Sequence, residues 1–79
     1  MSNDEIFDEL LKRLEVAEGK HPVFAEGIYQ ALGIVSEEVG ELNRSVNHNE
    51  GDKRTMDEAF DSLVVIWRFI RGDWKQEAE

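Results

Sequence analysis

Residues 28–46 read Ile28-Tyr29-Gln30-Ala31-Leu32-Gly33-Ile34-Val35-Ser36-Glu37-Glu38-Val39-Gly40-Glu41-Leu42-Asn43-Arg44-Ser45-Val46. Ile28, Leu32, Val35, Val39, Leu42 and Val46 recur at 4-3-4-3-4 spacing, the period of a helix with one apolar stripe. The pattern predicts a helix over roughly 24–47. Within it, Glu38 and Glu41 are three residues apart, almost one turn, so both carboxylates project from the same side. Gly33 and Gly40 lie seven apart. A glycine inside a helix costs about 1 kcal/mol relative to alanine. The pair therefore marks either the close approach of another backbone or ligand, or two tolerated weak positions.

A second acidic pair follows. Thr55 and Glu58 predict a capping box that starts a helix over roughly 56–71, and Glu58 and Asp61 repeat the three-residue interval. Residues 47–54 are polar and rich in turn formers, a loop short enough to favour an antiparallel hairpin. At 1.5 Å per residue, Glu38 and Glu41 lie roughly 9–14 Å before the end of the first helix, and Glu58 and Asp61 roughly 5–9 Å into the second. The four acids thus reach similar heights. Each borders its apolar stripe, whereas Glu37 points about 100° away and is placed as a base or supporting group. Carboxylates gathered in this way are costly without a cation, and hard oxygen donors suit Mg²⁺ or Mn²⁺ and the phosphates those ions carry.

Outward from the hairpin, Phe7, Leu10, Leu11 and Leu14 predict an N-terminal helix over roughly 4–18, with Ser2 and Glu5 as its capping box and Gly19-Lys20-His21-Pro22 as its end. The last helix carries Leu63, Val64, Val65, Ile66, Trp67, Phe69 and Ile70. It is apolar almost all round, which predicts a central helix or a subunit interface. Gly72 is placed as its C-cap and residues 73–79 as a short tail. The expected fold is all-α: a single domain over 1–79, an antiparallel bundle of three to four helices completed by oligomerisation.

Composition narrows the function. The 79 residues contain no cysteine, so neither a disulfide nor a thiolate metal site adds stability. The formal net charge of −9 argues against a nucleic-acid partner, which needs a basic footprint. It also means that a phosphate substrate must arrive with a metal or meet one. The acidic start Met1-Ser2-Asn3-Asp4-Glu5 lacks the layout of a signal peptide, and no apolar run approaches a membrane span. The expectation is a cytoplasmic protein without a membrane partner.

Among the remaining residues, Arg68 lies seven after Asp61, on the same helical face. It either reaches a phosphate or is held in a salt bridge. Arg44, Lys53, Arg54 and Arg71 read first as surface charge. His21 and His48 fall in loops without ligand spacing. Phe24, Tyr29, Trp67 and Trp74 are able to stack on a base. Trp67 reads first as core, while Trp74 is placed against either a partner subunit or a nucleobase.

The run Glu37-Glu38-x-x-Glu41, a spacer, and Glu58-x-x-Asp61 resembles the signature of the MazG-like all-α nucleoside triphosphate pyrophosphohydrolases. Gly27-Ile28-Tyr29-Gln30-Ala31-Leu32 before it and Leu63-Val64-Val65 after it resemble the family's helical context, so that the resemblance covers roughly residues 20–71. It implies Mg²⁺ (with Mn²⁺ as substitute) on Glu38, Glu41, Glu58 and Asp61. It implies a catalytic role for Glu37 and Glu38, and cleavage of a nucleoside triphosphate to the monophosphate and pyrophosphate. Arg68, Lys53 and Trp74 are the candidate substrate contacts, and a homodimer or homotetramer is the implied assembly. The competing expectation is a non-catalytic acidic helical module that binds a protein partner through its last helix.

Overall fold

Three helices carry the chain: α1 (Asn3–Lys20), α2 (Ile28–Asn47) and α3 (Asp52–Arg71). They are seen in a computed structural model that describes residues 1–75. No strand occurs among the described residues, and no described helix is long and apolar enough to cross a membrane.

The helix ends follow local chemistry, with two corrections to the expected boundaries. Ser2 caps α1 as expected: its side chain accepts from the Glu5 amide, and the Glu5 carboxylate accepts from the Ser2 amide at 2.8 Å. α2 starts at Ile28, later than the predicted 24, because Gly27 has φ 124°. That left-handed value breaks any helix running in from Phe24 and suits glycine. α3 starts at Asp52, earlier than the predicted 56, and its N-cap is Gly51 at φ 100°. The expected Thr55–Glu58 capping box is therefore absent. The Thr55 amide already donates to the Gly51 carbonyl inside the first turn. The linker shrinks to residues 48–51. Gly72 ends α3 in the left-handed conformation at φ 82°, as expected.

Gly51 thus sets the start of the acid-bearing helix. Gly51→Ala is expected to destabilise the fold by roughly 1 kcal/mol or more, because alanine is strained at this φ. Among the described residues no steric clash contributes, since a Cβ there meets none of their atoms within 4 Å. Urea unfolding of the two proteins measures the difference.

α2 and α3 form the expected antiparallel hairpin, with Ser45 beside Thr55 at one end and Ala31 and Ile34 beside Phe69 at the other. α1 packs on the opposite flank of α3 and runs parallel to it, as the pairs Arg13–Asp57 and Glu18–Arg71 show. The α1 and α2 backbones do not approach one another. The core is accordingly split in two. Leu10, Leu14 and Val64 join α1 to α3, with Ala17, Leu63 and Trp67 against them. Phe24, Ala25 and Ala31 join the α1–α2 connection and α2 to α3, with Ile34, Val65, Phe69 and Trp74.

This open layer explains where the apolar stripe of α2 goes. Only its α3-facing edge is covered: Ala31 and Ser45 are buried, while Ile28, Leu32 and Val46 remain exposed. Gly33 and Gly40 are also exposed, and no atom lies within 4 Å of a Cβ built on either. Among the described residues, no backbone of another element approaches them. On α3, Ile70 is 78 % exposed, so the helix has more apolar surface than its two neighbours cover.

Candidate functional site

The observed helix ends improve the match in height between the acids. Glu38 and Glu41 lie nine and six residues before the end of α2, and Glu58 and Asp61 six and nine residues after the start of α3. At about 1.5 Å per residue, Glu41 is level with Glu58 and Glu38 with Asp61. Three of the four converge. One carboxylate oxygen each from Glu38, Glu58 and Asp61 lies within 4.8 Å of the others. Glu41 is half-buried beside Glu58 and contributes no oxygen to this group. Glu37 is exposed.

The three differ in environment. Glu58 is buried, with 4 % of its surface exposed. One of its oxygens faces the Arg54 guanidinium at 3.0 Å, and its Oε2 is buried with no hydrogen-bond partner. Oε2 of Glu38 is likewise buried and unpartnered. Leaving a charged carboxylate oxygen unpaired in this way is costly. Burial pushes the Glu38 carboxyl up to about 7, reinforced by Glu41, Asp61, Glu58 and Glu37. Burial and Glu41 raise Glu58, with Arg54 opposing. Partial loss of hydration raises Asp61, with Arg13 opposing. Both helices therefore bring negative charge into a volume whose own cations neutralise it incompletely.

Those cations are Arg54 and Arg13. Arg54 is set by α3 itself, one turn before Glu58. Arg13 comes from α1: it donates to Glu9 at 2.7 Å and to Asp57 at 2.9 Å, lies 3.9 Å from Asp61, and covers the Phe60 ring at 4.8 Å. Sequence reasoning passed over Arg13. The available signal was its place between Leu10 and Leu14, on the side of α1 that turns to α3.

The candidate substrate contacts each have a partner within the chain. Arg68 is buried. Its guanidinium donates to the carbonyls of His21 and Pro22 and to Asp73, and covers the Phe24 ring at 5.1 Å. It ties the α1–α2 connection to the end of α3. Lys53 extends into solvent and meets Asp57 at 3.2 Å. Trp74 donates from Nε1 to the Phe69 carbonyl at 3.0 Å and packs on the Phe69 ring. It belongs to the core rather than to the expected tail, of which residues 76–79 lie outside the described residues.

In chemical terms the donor set is three carboxylates on two rigid helices, with two buried oxygens in want of a partner. All its donors are hard oxygens, which fits Mg²⁺ or Mn²⁺ and disfavours softer ions. No family model, curated protein or solved structure matches the chain.

Proposed function

We propose that the chain is a divalent-metal-dependent nucleoside triphosphate pyrophosphohydrolase, releasing pyrophosphate and a nucleoside monophosphate. One observation carries the reading: Glu38, Glu58 and Asp61 bring oxygens within 4.8 Å of one another, two of the acids holding a buried oxygen without a partner. The resemblance of the five-acid pattern gives the reaction class. Glu38, Glu58 and Asp61 would hold the ion, with Glu41 beside Glu58 as the fourth ligand. Bound there, Mg²⁺ supplies charge neutralisation for the phosphates and a lowered pKa for a bound water.

The chain's own residues do the rest. The two helices fix the acids before substrate arrives, and a reaction that depends mainly on positioning gains most from that rigidity. Glu38, its carboxyl raised to about 7 by burial, is when ionised a stronger base than an ordinary carboxylate, and Glu37 stands one residue earlier in solvent. Together they offer a place to receive the proton of an attacking water and a route by which it leaves. Removal of unwanted nucleotides is the cellular role that this chemistry suits. A panel of nucleoside triphosphates with Mg²⁺ or Mn²⁺, with monophosphate, pyrophosphate and orthophosphate quantified, tests the reading. Orthophosphate as the product, or no turnover across the panel, overturns it.

The assembly belongs to the same proposal. Leu32, Val35, Ile66 and Phe69 line an apolar groove of about 100 Å³ between α2 and α3, and Ile28, Leu32 and Ile70 stand exposed. Covering these residues with a second copy would complete a four-helix bundle from two hairpins. Ile70→Asp is expected to convert a dimer to a monomer in light scattering at micromolar concentration. A wild-type monomer under the same conditions contradicts the proposal. The same exposed residues are what favour the second reading, an interaction module. That reading predicts no metal-dependent turnover and a specific protein partner displaced by Ile70→Asp.

A further inference from the structure

A groove of about 490 Å³ lies along α1 and takes in Asp61, its one lining residue from α3. Its α1 wall is Glu9, Lys12, Arg13, Val16, Ala17 and Lys20, and Arg13 pairs with Glu9 at 2.7 Å. Asp61 is also the third acid of the cluster on α2 and α3. The groove and the acidic cluster are therefore contiguous and share that carboxylate.

The charge of the groove sets it apart in this chain. The protein has nine lysines and arginines against eighteen acids. Among the described residues, five of the nine are ion-paired: Arg13, Lys53, Arg54, Arg68 and Arg71. Of the four left, Lys12, Lys20, Arg44 and Lys75, two line this groove. Lys12 and Lys20 are eight residues apart on α1, about 12 Å along the axis at helical rise. Arg13 is fixed between them by Glu9 and Asp57. At the far end the groove is held in shape by buried Arg68, which donates to the His21 carbonyl at 2.9 Å. Among the described residues no carboxylate pairs with Lys12 or Lys20, and two such lysines along one wall offer an attractive path for an anion beside the acidic cluster.

We propose that this groove binds the polyphosphate tail of the substrate, with Lys12 and Lys20 as the residues that contact it. The inference rests on the pyrophosphohydrolase reading and adds to it a further protein source of positive charge for phosphate oxygens that the ion does not cover. The ligand class is a condensed phosphate: the leaving pyrophosphate and the triphosphate that contains it. Lysine suits the task as a flexible point charge that can follow the phosphate as it departs.

The test uses inorganic pyrophosphate in Mg²⁺ buffer, titrated calorimetrically into the wild type, K12Q/K20Q, K12R/K20R and the charge-matched control R44Q/K75Q. All four positions are exposed, and circular dichroism verifies folding. K12Q/K20Q is expected to weaken pyrophosphate binding about tenfold or more, the scale of losing charge-assisted contacts. K12R/K20R and R44Q/K75Q should stay near wild type. Mn²⁺ affinity measured by electron paramagnetic resonance should be the same in all four. In turnover, K12Q/K20Q should raise KM for the triphosphate with a smaller change in kcat. Equal pyrophosphate affinity in the wild type and K12Q/K20Q overturns the inference, as does an equal loss in R44Q/K75Q. If triphosphates are hydrolysed with unchanged KM in K12Q/K20Q, the groove fails and the enzymatic reading stands. If pyrophosphate binds through the lysines and nothing is hydrolysed, the enzymatic reading fails and the groove stands as a condensed-phosphate site.

Discussion

Pyrophosphate release is expected to fall at least about a hundredfold when Glu38, Glu58 or Asp61 is replaced by alanine, the scale at which catalytic metals and bases act. Each variant removes one of the three oxygens that converge within 4.8 Å, so no member of the group is spare. Chelator should abolish activity in the wild type. The three positions differ in what else they do, which separates chemistry from folding. Asp61 is half-exposed, and its nearest cation is Arg13 at 3.9 Å, so Asp61→Ala should keep the fold while losing turnover. Glu58 is buried against Arg54, so its variant needs a folding control by circular dichroism. Glu41→Ala is expected to join them, because its side chain already lies against Glu58. A folded Asp61→Ala protein with near-wild-type turnover would rule out this site.

The acidic constellation was legible in the sequence because it depends on two simple quantities. Helical periodicity puts Glu38 and Asp61 beside their apolar stripes, and a short polar linker sets their heights. The end of α2 falls where expected, and the error of about four residues at the start of α3 shifts the heights by about one turn, too little to separate the pairs. What decides membership of the group is finer. Glu38 contributes an oxygen and Glu41 does not, a distinction set by the rotation of α2 about its own axis as Ala31 and Ser45 turn into α3. Periodicity cannot supply that rotation, since the apolar stripe is wider than the edge α3 covers.

The two capping boxes show the same boundary between local and non-local information. Ser2-x-x-Glu5 and Thr55-x-x-Glu58 share one pattern. The first caps its helix and the second sits inside one. The difference lies in Gly51, whose left-handed φ starts α3 before Thr55 can act. Once the helix is under way, Thr55 is left to meet Ser45 on the neighbouring helix and Glu58 turns inward. Arg13 was illegible for a different reason. Its partner Asp57 is 44 residues away, and nothing local states which helix α1 will choose. Arg68 and Trp74 were visible as chemistry-bearing side chains. Only the packed chain shows their groups already engaged by His21, Pro22, Asp73 and the Phe69 carbonyl.

Saturating Mg²⁺ or Mn²⁺ is expected to raise the melting temperature by about 10–20 °C. A ligand at one hundred times its Kd contributes roughly 2.7 kcal/mol, and each kcal/mol shifts a domain of this size by about 4–8 °C. The argument starts from the metal-free charge balance. Glu38 has its folded pKa raised to about 7 by burial and by four neighbouring acids, against about 4.3 for a free glutamate. The folded state therefore binds more protons than the unfolded chain in this interval, and stability falls as pH rises through it. The contribution is fully present below about 4.3 and is lost by the time pH has passed the folded value near 7. At a site still open to water it is worth on the order of 1–2 kcal/mol. Asp57, Asp73 and Glu5 act in the opposite sense, because Arg13, Arg71 and Ser2 respectively hold them low. Their stabilisation disappears only as pH falls below the ordinary carboxylate range, so the two effects separate. Metal-free protein should consequently melt higher at pH 5.5 than at pH 8, and the metal-induced shift should be larger at pH 8. Glu38→Gln removes the titrating group with little change of volume, so it should flatten the metal-free profile, lose most of the metal shift and stay folded. Metal-free stability that instead rises between pH 5.5 and pH 8 would mean that Glu38 is held as a stabilised carboxylate, and an acidic cluster awaiting a cation would no longer describe this site.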